Sequence, residues 1–263
     1  MQTYERNRCS GKIILTVALS ALIAIVATVG LLQSSKQKKE TTGSTVEQLP
    51  ENSETYDTGN RAIPDKLLEL MAQNPDAKEF VLNYPLKKDL RPEIDLREYV
   101  GSETVPLFFQ WDERWGYTQY GEEMMGLSGC GPTCLSMVCV YLLDDAKYSP
   151  RYVADFAQRK GYYVAGIGSS WTLISSGGRQ LGLDVTEIPL DENRIVRNLE
   201  LGNPIICAMG PGDFTTTGHF IVLTGYENGK IRVNDPNSPT RSAMLWEYST
   251  LCGQIRNLWV CRT

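Results

Sequence analysis

The chain is built from polar stretches and from segments whose apolar residues recur with recognisable periods. Ile13–Leu32 is a run of 20 residues without a charged side chain. As a helix it is roughly 30 Å long, matching the hydrocarbon core of a bilayer, and it reads as a single transmembrane helix. A cleaved signal peptide is the competing reading. Its apolar stretch usually covers only about 7–15 residues, and no clean Ala-x-Ala site follows this run. Residues 33–60 are polar, rich in Ser, Thr, Glu, Gln and Lys, and read as a disordered stalk.

Order is expected to begin near Ile63-Pro64, with Pro64 at the start of a helix through Leu67, Leu68, Leu70 and Met71. Residues 61–104 also carry Phe80, Val81 and Tyr84 and read as a lead-in segment that packs on the main domain. In that domain, residues 105–263, Gly129-Cys130-Gly131-Pro132 opens a helix. Leu135, Met137, Val138, Tyr141 and Leu142 give it a wide apolar surface. Ser149-Pro150 starts a second helix, ending at Gly161, and Ser169 or Ser170 can cap a third from Trp171 to about Gln180. Asp191 starts a fourth, closed by Gly202.

Strands then dominate. Leu183–Ile188 and Pro204–Ala208 read as short strands. His219–Tyr226 and Lys230–Asp235 flank Asn228-Gly229, a strong hairpin signal, and Ile255–Cys261 reads as the last strand. Helices first and an antiparallel sheet afterwards predict an α+β fold.

Charge divides the chain at the apolar run. Residues 1–40 hold six Lys/Arg and two Asp/Glu, a net of +4; the rest hold 20 against 29, a net of −9. An acidic body argues against nucleic acid as a partner. Arg6, Arg8 and Lys12 precede the run and Lys36, Lys38 and Lys39 follow it, so the positive-inside count is a tie. A short basic tail before a first apolar segment usually stays inside. Residues 1–12 are therefore read as cytoplasmic and the main domain as extracellular.

Of the seven cysteines, Cys9 lies before the apolar run. Cys252 and Cys261 can meet across a C-terminal hairpin, although a buried free thiol is the commoner state of such residues. The spacing of Cys130, Cys134 and Cys139 does not form a Cys-x-x-Cys pair and only one histidine is at hand, so a zinc site is the less expected reading. No phosphate loop, metal motif or dinucleotide fingerprint is present, and no cofactor is expected.

Two residues carry the candidate chemistry. Cys130 is predicted at a helix N-terminus, where unpaired N–H groups and the helix dipole favour a thiolate. A buried structural cysteine at a helix start is the alternative. His219 is the only histidine in the chain, so any imidazole base is this one. The Asn228-Gly229 turn brings His219 to the open end of its hairpin beside Asp235 or Asn234, either of which can orient an imidazole. Strand alternation sends those two neighbours to opposite faces, so only one can serve. Gln110, after the apolar Val105–Phe109, can donate its side-chain amide to a developing oxyanion. Trp111, Trp115, Tyr117 and Tyr120 read as core before groove lining, and Trp171 as part of a surface loop.

Together these segments resemble the peptidase C39-like family of papain-like cysteine peptidases. The resemblance runs through Val105-Pro106-Leu107-Phe108-Phe109-Gln110, Asp112-x-x-Trp115, Tyr120-Gly121 and Gly129-Cys130-Gly131-Pro132-Thr133. It continues through Gly218-His219-Phe220-Ile221-Val222 and Val233-Asn234-Asp235-Pro236. It implies a papain-like fold and a Cys130, His219, Asp235 triad with Gln110 as oxyanion donor. It implies hydrolysis of a peptide or protein substrate through a thioester and a bacterial source, whose cell surface the anchor read from Ile13–Leu32 would suit. Cys134 departs from the family pattern, which has a small residue there, and places a second thiol one turn into the helix. Amidase or acyl-transfer chemistry on the same fold, and a non-enzymatic peptide-binding module, are the competing readings.

Overall fold

The computed structural model describes residues 62–263. The cytoplasmic tail, the transmembrane run and the stalk expected at 1–60 lie outside the described residues. Among the described residues, no helix is long and apolar enough to cross a membrane.

Pro64 stands immediately before α1 (Asp65–Gln73), where its missing N–H costs nothing. A second helix, α2 (Lys78–Lys87), follows after a short turn and tolerates Pro85 near its end. Leu67, Phe80, Val81 and Tyr117 form a small core that joins these helices to the residues around Trp111 and Leu127. A short hairpin, β1 (Gln119–Tyr120) and β2 (Glu123–Met124), leads into the turn α3 (Met125–Ser128). Next comes α4 (Cys130–Leu143), buried along Gly131–Val140 because it is apolar on nearly every side. In α5 (Pro150–Arg159) the Ser149 side chain accepts from Tyr152 N and Pro150 takes the first position, as their order in the sequence predicts.

The expected third helix takes a different form. After the small hairpin β3 (Tyr163–Val164) and β4 (Gly168–Ser169), the chain winds as a π-helix at Leu173–Gly177 and tightens to α6 (Gly178–Leu181) only at its end. The adjacent glycines at 177 and 178 let this segment press close to its neighbours; a Cβ on Gly178 would lie 2.9 Å from Val185 Cγ2.

The remaining elements are β5 (Asp184–Glu187), α7 (Glu192–Glu200), β6 (Ile205–Met209), β7 (His219–Glu227) and β8 (Lys230–Asn234). They are followed by α8 (Pro239–Ser242), β9 (Leu245–Trp246), α9 (Tyr248–Cys252) and β10 (Ile255–Arg262). Asp191 caps α7 by accepting from Arg194 N. The strands form one antiparallel six-stranded sheet in the order β5-β10-β6-β7-β8-β9. Asn228 and Gly229 both have positive φ, 52° and 76°, as a type I′ hairpin turn requires.

Strand β6 is buried throughout, and its alternation feeds two cores. Ile206 and Ala208 face α4 and α5, whereas Ile205, Cys207 and Met209 face α7 and Trp246. Cys261 is a free, buried thiol, so the pairing with Cys252 considered from the sequence does not form. Trp115, Tyr117 and Tyr120 are buried, and Trp111 stacks on Phe109 at 4.8 Å.

Candidate active site

Cys130 is the first residue of the 14-residue helix α4 and remains partly exposed. The glycines on either side let it sit there. A Cβ on Gly131 would lie 2.5 Å from Ser169 Oγ, and one on Gly129 would lie 2.5 Å from Met125 O. The helix start is thus wedged between the preceding turn and β4, with the thiol left at the surface. Cys134, one turn on, is fully buried, and burial pushes its thiol well above its ordinary 9.0.

His219 opens β7 and is 9 % exposed. Its Nε2 lies 2.8 Å from Asp235 Oδ1. Burial works against the charged ring, but the hydrogen bond and charge of Asp235 outweigh it, helped by the Cys130 side chain. Together they raise His219 from 6.5 to about 10. Asp235 is itself fully buried; burial opposes its ionisation, yet His219 and Arg241 hold it below the ordinary 3.8. The carboxylate is well supplied with donors. Oδ1 also accepts from Asn237 N at 2.8 Å, and Oδ2 accepts from Arg241 Nε at 2.5 Å.

Strand register decides between Asp235 and Asn234. Asn234 pairs with Val222, and its Nδ2 donates to Val105 O and Pro106 O at 3.1 and 3.0 Å. That engagement ties the 105–110 segment to the sheet on the α4 side. Asp235, on the other face, is the neighbour of His219. Gln110 is fixed by its backbone N–H to Pro236 O at 2.8 Å, directly after Asp235. Its Nε2 donates to Gly126 O at 2.9 Å, and its Oε1 is buried without a hydrogen-bond partner among the described residues.

The sequence-predicted residues Cys130, His219 and Gln110 line one recess of about 430 Å³. A second recess of about 240 Å³, with Trp171 and Arg256, also reaches Cys130 and His219. Thiol and imidazole therefore sit where two hollows meet, an arrangement suited to a chain lying across them. Asp235 stands behind His219, away from both. Trp171, 48 % exposed, packs edge-on to Trp259 at 5.9 Å and walls the smaller hollow.

Helix α1 walls the larger recess with Lys66, Glu69, Leu70 and Gln73; neither this α1 wall nor Arg241 nor Asn237 is foreseen from the sequence. Arg241 was within reach of the sequence: Ser238-Pro239 repeats the Ser-Pro helix start seen at Ser149-Pro150. The turn it begins, with Ser238 Oγ accepting from Arg241 N at 3.1 Å, carries Arg241 back toward Asp235. The α1 wall depends on tertiary packing and left no local trace.

The Peptidase_C39 like family model matches residues 102–262, more than half of the chain. The chain belongs to that family. No curated protein matches it. Among solved structures, the peptidase domain of Streptococcus ComA, a bifunctional ABC transporter, is 19% identical with a TM-score of 0.41. That alignment covers 51% of this chain and 89% of the other. The same domain from Streptococcus mutans, in complex with a small-molecule inhibitor, is 15% identical with a TM-score of 0.38, covering 60% and 99%. A C39-like peptidase from Bacillus anthracis is 12% identical with a TM-score of 0.41, covering 65% and 98%. In this C39-like chain the helix that opens at Cys130 and the hairpin that carries His219 and Asp235 both fall inside the matched span.

Proposed function

We propose that this C39-like protein is a cysteine peptidase, with Cys130 as nucleophile, His219 as acid and base, Asp235 as the orienting carboxylate and Gln110 as an oxyanion donor. The observation that carries the reading is the single imidazole bound at Nε2 by a buried carboxylate, with its other edge left for the helix-terminal thiol. A ring held protonated by Asp235 stabilises a thiolate opposite it. The thiolate sulfur attacks the carbonyl carbon of the scissile peptide, and the carbonyl oxygen takes up negative charge. Gln110 has one amide hydrogen on Gly126 O and a second for that oxygen. His219 then gives its Nδ1 proton to the leaving nitrogen; the C–N bond breaks and a thioester remains on Cys130. Water attacks the thioester, losing its proton to His219, and the carboxylic acid product leaves with the thiolate restored.

The setting proposed is extracellular, with residues 13–32 as the membrane anchor. The 20-residue uncharged run and the short basic tail before it support this. A library of internally quenched peptides tests the activity: the wild type should cleave members of it, and Cys130→Ala should cleave none. Equal cleavage by both proteins would sink the proposal. Protease added to intact cells tests the setting, which requires that the domain be digested from outside.

A further inference from the structure

Helix α1 precedes the span that the family model matches, yet it forms one wall of the larger recess beside Cys130. Lys66, Glu69, Leu70 and Gln73 line that recess, a spacing of i, i+3, i+4 and i+7 that marks one face of a helix. The wall is fastened at both ends. Lys66 Nζ pairs with Glu123, which also lines the recess. At the other end Asn74 donates from Nδ2 to Asn237 O at 2.6 Å and to Asn237 Oδ1 at 3.1 Å. Asn237 in turn donates its backbone N–H to Asp235 at 2.8 Å. Helix and site are thus held in one hydrogen-bonded frame.

The wall carries an excess of negative charge. Of the charged side chains on this wall of the recess, Glu69 and Glu123 are acidic against Lys66 alone, a net of −1. Leu70, Leu127 and Phe214 give the same recess apolar surface. A second feature points to an occupant. Gln110 lines the recess at 4 % exposure, and its Oε1 has no donor among the described residues. A buried acceptor left without a partner is costly, and an N–H of a bound chain would satisfy it.

We propose that the α1 wall is a specificity subsite for a basic side chain of the substrate, its alkyl stem on Leu70, Leu127 and Phe214 and its charge near Glu69 and Glu123. This rests on the peptidase reading. The test uses the full chain and internally quenched octapeptides carrying Lys, Gln or Glu at one position at a time. At one position Lys should be preferred over Glu by about threefold in kcat/KM, the scale of a partly exposed ion pair. Glu69→Lys should remove or reverse the preference at that position alone, and Gln73→Glu should strengthen it. Both residues are exposed, so neither change disturbs the fold. If peptides are cleaved but neither variant alters the preference at any position, the subsite is refuted and the peptidase reading stands. If no peptide is cleaved although Cys130 reacts with iodoacetamide, the peptidase reading fails and the subsite falls with it.

Discussion

Replacing Asp235 with alanine removes the acceptor of His219 Nε2 and the charge that holds the ring protonated. Burial, which disfavours the imidazolium, remains, and only the Cys130 side chain is left to oppose it. The ring should therefore fall from about 10 to its ordinary 6.5 or below. At about 1.36 kcal/mol per pKa unit, that is on the order of 5 kcal/mol of lost preference for the charged ring. Near pH 7.5 such a histidine is protonated in only about one molecule in ten, so the thiolate loses its counter-ion. Asp235→Asn keeps an acceptor and loses the charge, and should titrate between the other two. The chain has a single histidine, so ring NMR of labelled protein reports His219 with no assignment step. A wild-type ring titrating near 6.5, unmoved by Asp235→Ala, would mean that Asp235 does not hold His219 protonated.

His219→Ala should depress peptide turnover nearly as far as Cys130→Ala, because nucleophile and base act as one unit. Gln110→Ala should cost about 2.7–4 kcal/mol of transition-state stabilisation in kcat while leaving iodoacetamide labelling of Cys130 almost unchanged. If that variant keeps full turnover, the donor lies elsewhere, and Ser128 beside Cys130 in the recess is the next to substitute. The raised pKa of His219 also sets a stability profile: its contribution is complete below pH 6.5 and lost as pH rises through about 10. The lowered pKa of Asp235 sets the acid side of the same pair, whose contribution is lost as pH falls below the ordinary 3.8. The difference in urea midpoint between wild type and His219→Gln should accordingly shrink between pH 6.5 and 10; a difference independent of pH would contradict the ion pair.

Much of this architecture is written locally. Asn228-Gly229 needs two positive φ values and obtains them, and Ser149-Pro150 and Asp191 start helices because their side chains satisfy free N–H groups. Alternation separates Asn234 from Asp235, and their partners differ accordingly: Asn234 bonds Val105 O and Pro106 O, and Asp235, just past the end of β8, bonds His219. What was not legible depends on distant partners. The order β5-β10-β6 threads the last strand between two earlier ones, a pairing set by which faces must be buried, and no turn encodes it. The π-helical turn at Leu173–Gly177 has the same apolar spacing as an ordinary helix, and only in the folded chain does Gly177 pack against Tyr162 and Phe156 and Gly178 against Val185. Gln110 read as an oxyanion donor, whereas its engagement with Gly126 O appears only in the folded chain. The wall made by α1 is legible as a helix but not as a neighbour of Cys130.

In the proposed mechanism Cys130 alone, among the cysteines of the described residues, is an activated nucleophile. Cys134 and Cys139 are fully buried, and burial raises both thiols well above 9.0. Treating the protein with a peptidyl chloromethyl ketone and locating the adduct by mass spectrometry of the digest tests this directly. One adduct is expected, on Cys130, forming near neutral pH and disappearing in His219→Ala. An adduct on Cys134 or Cys139, or Cys130 labelling that does not depend on His219, would contradict it.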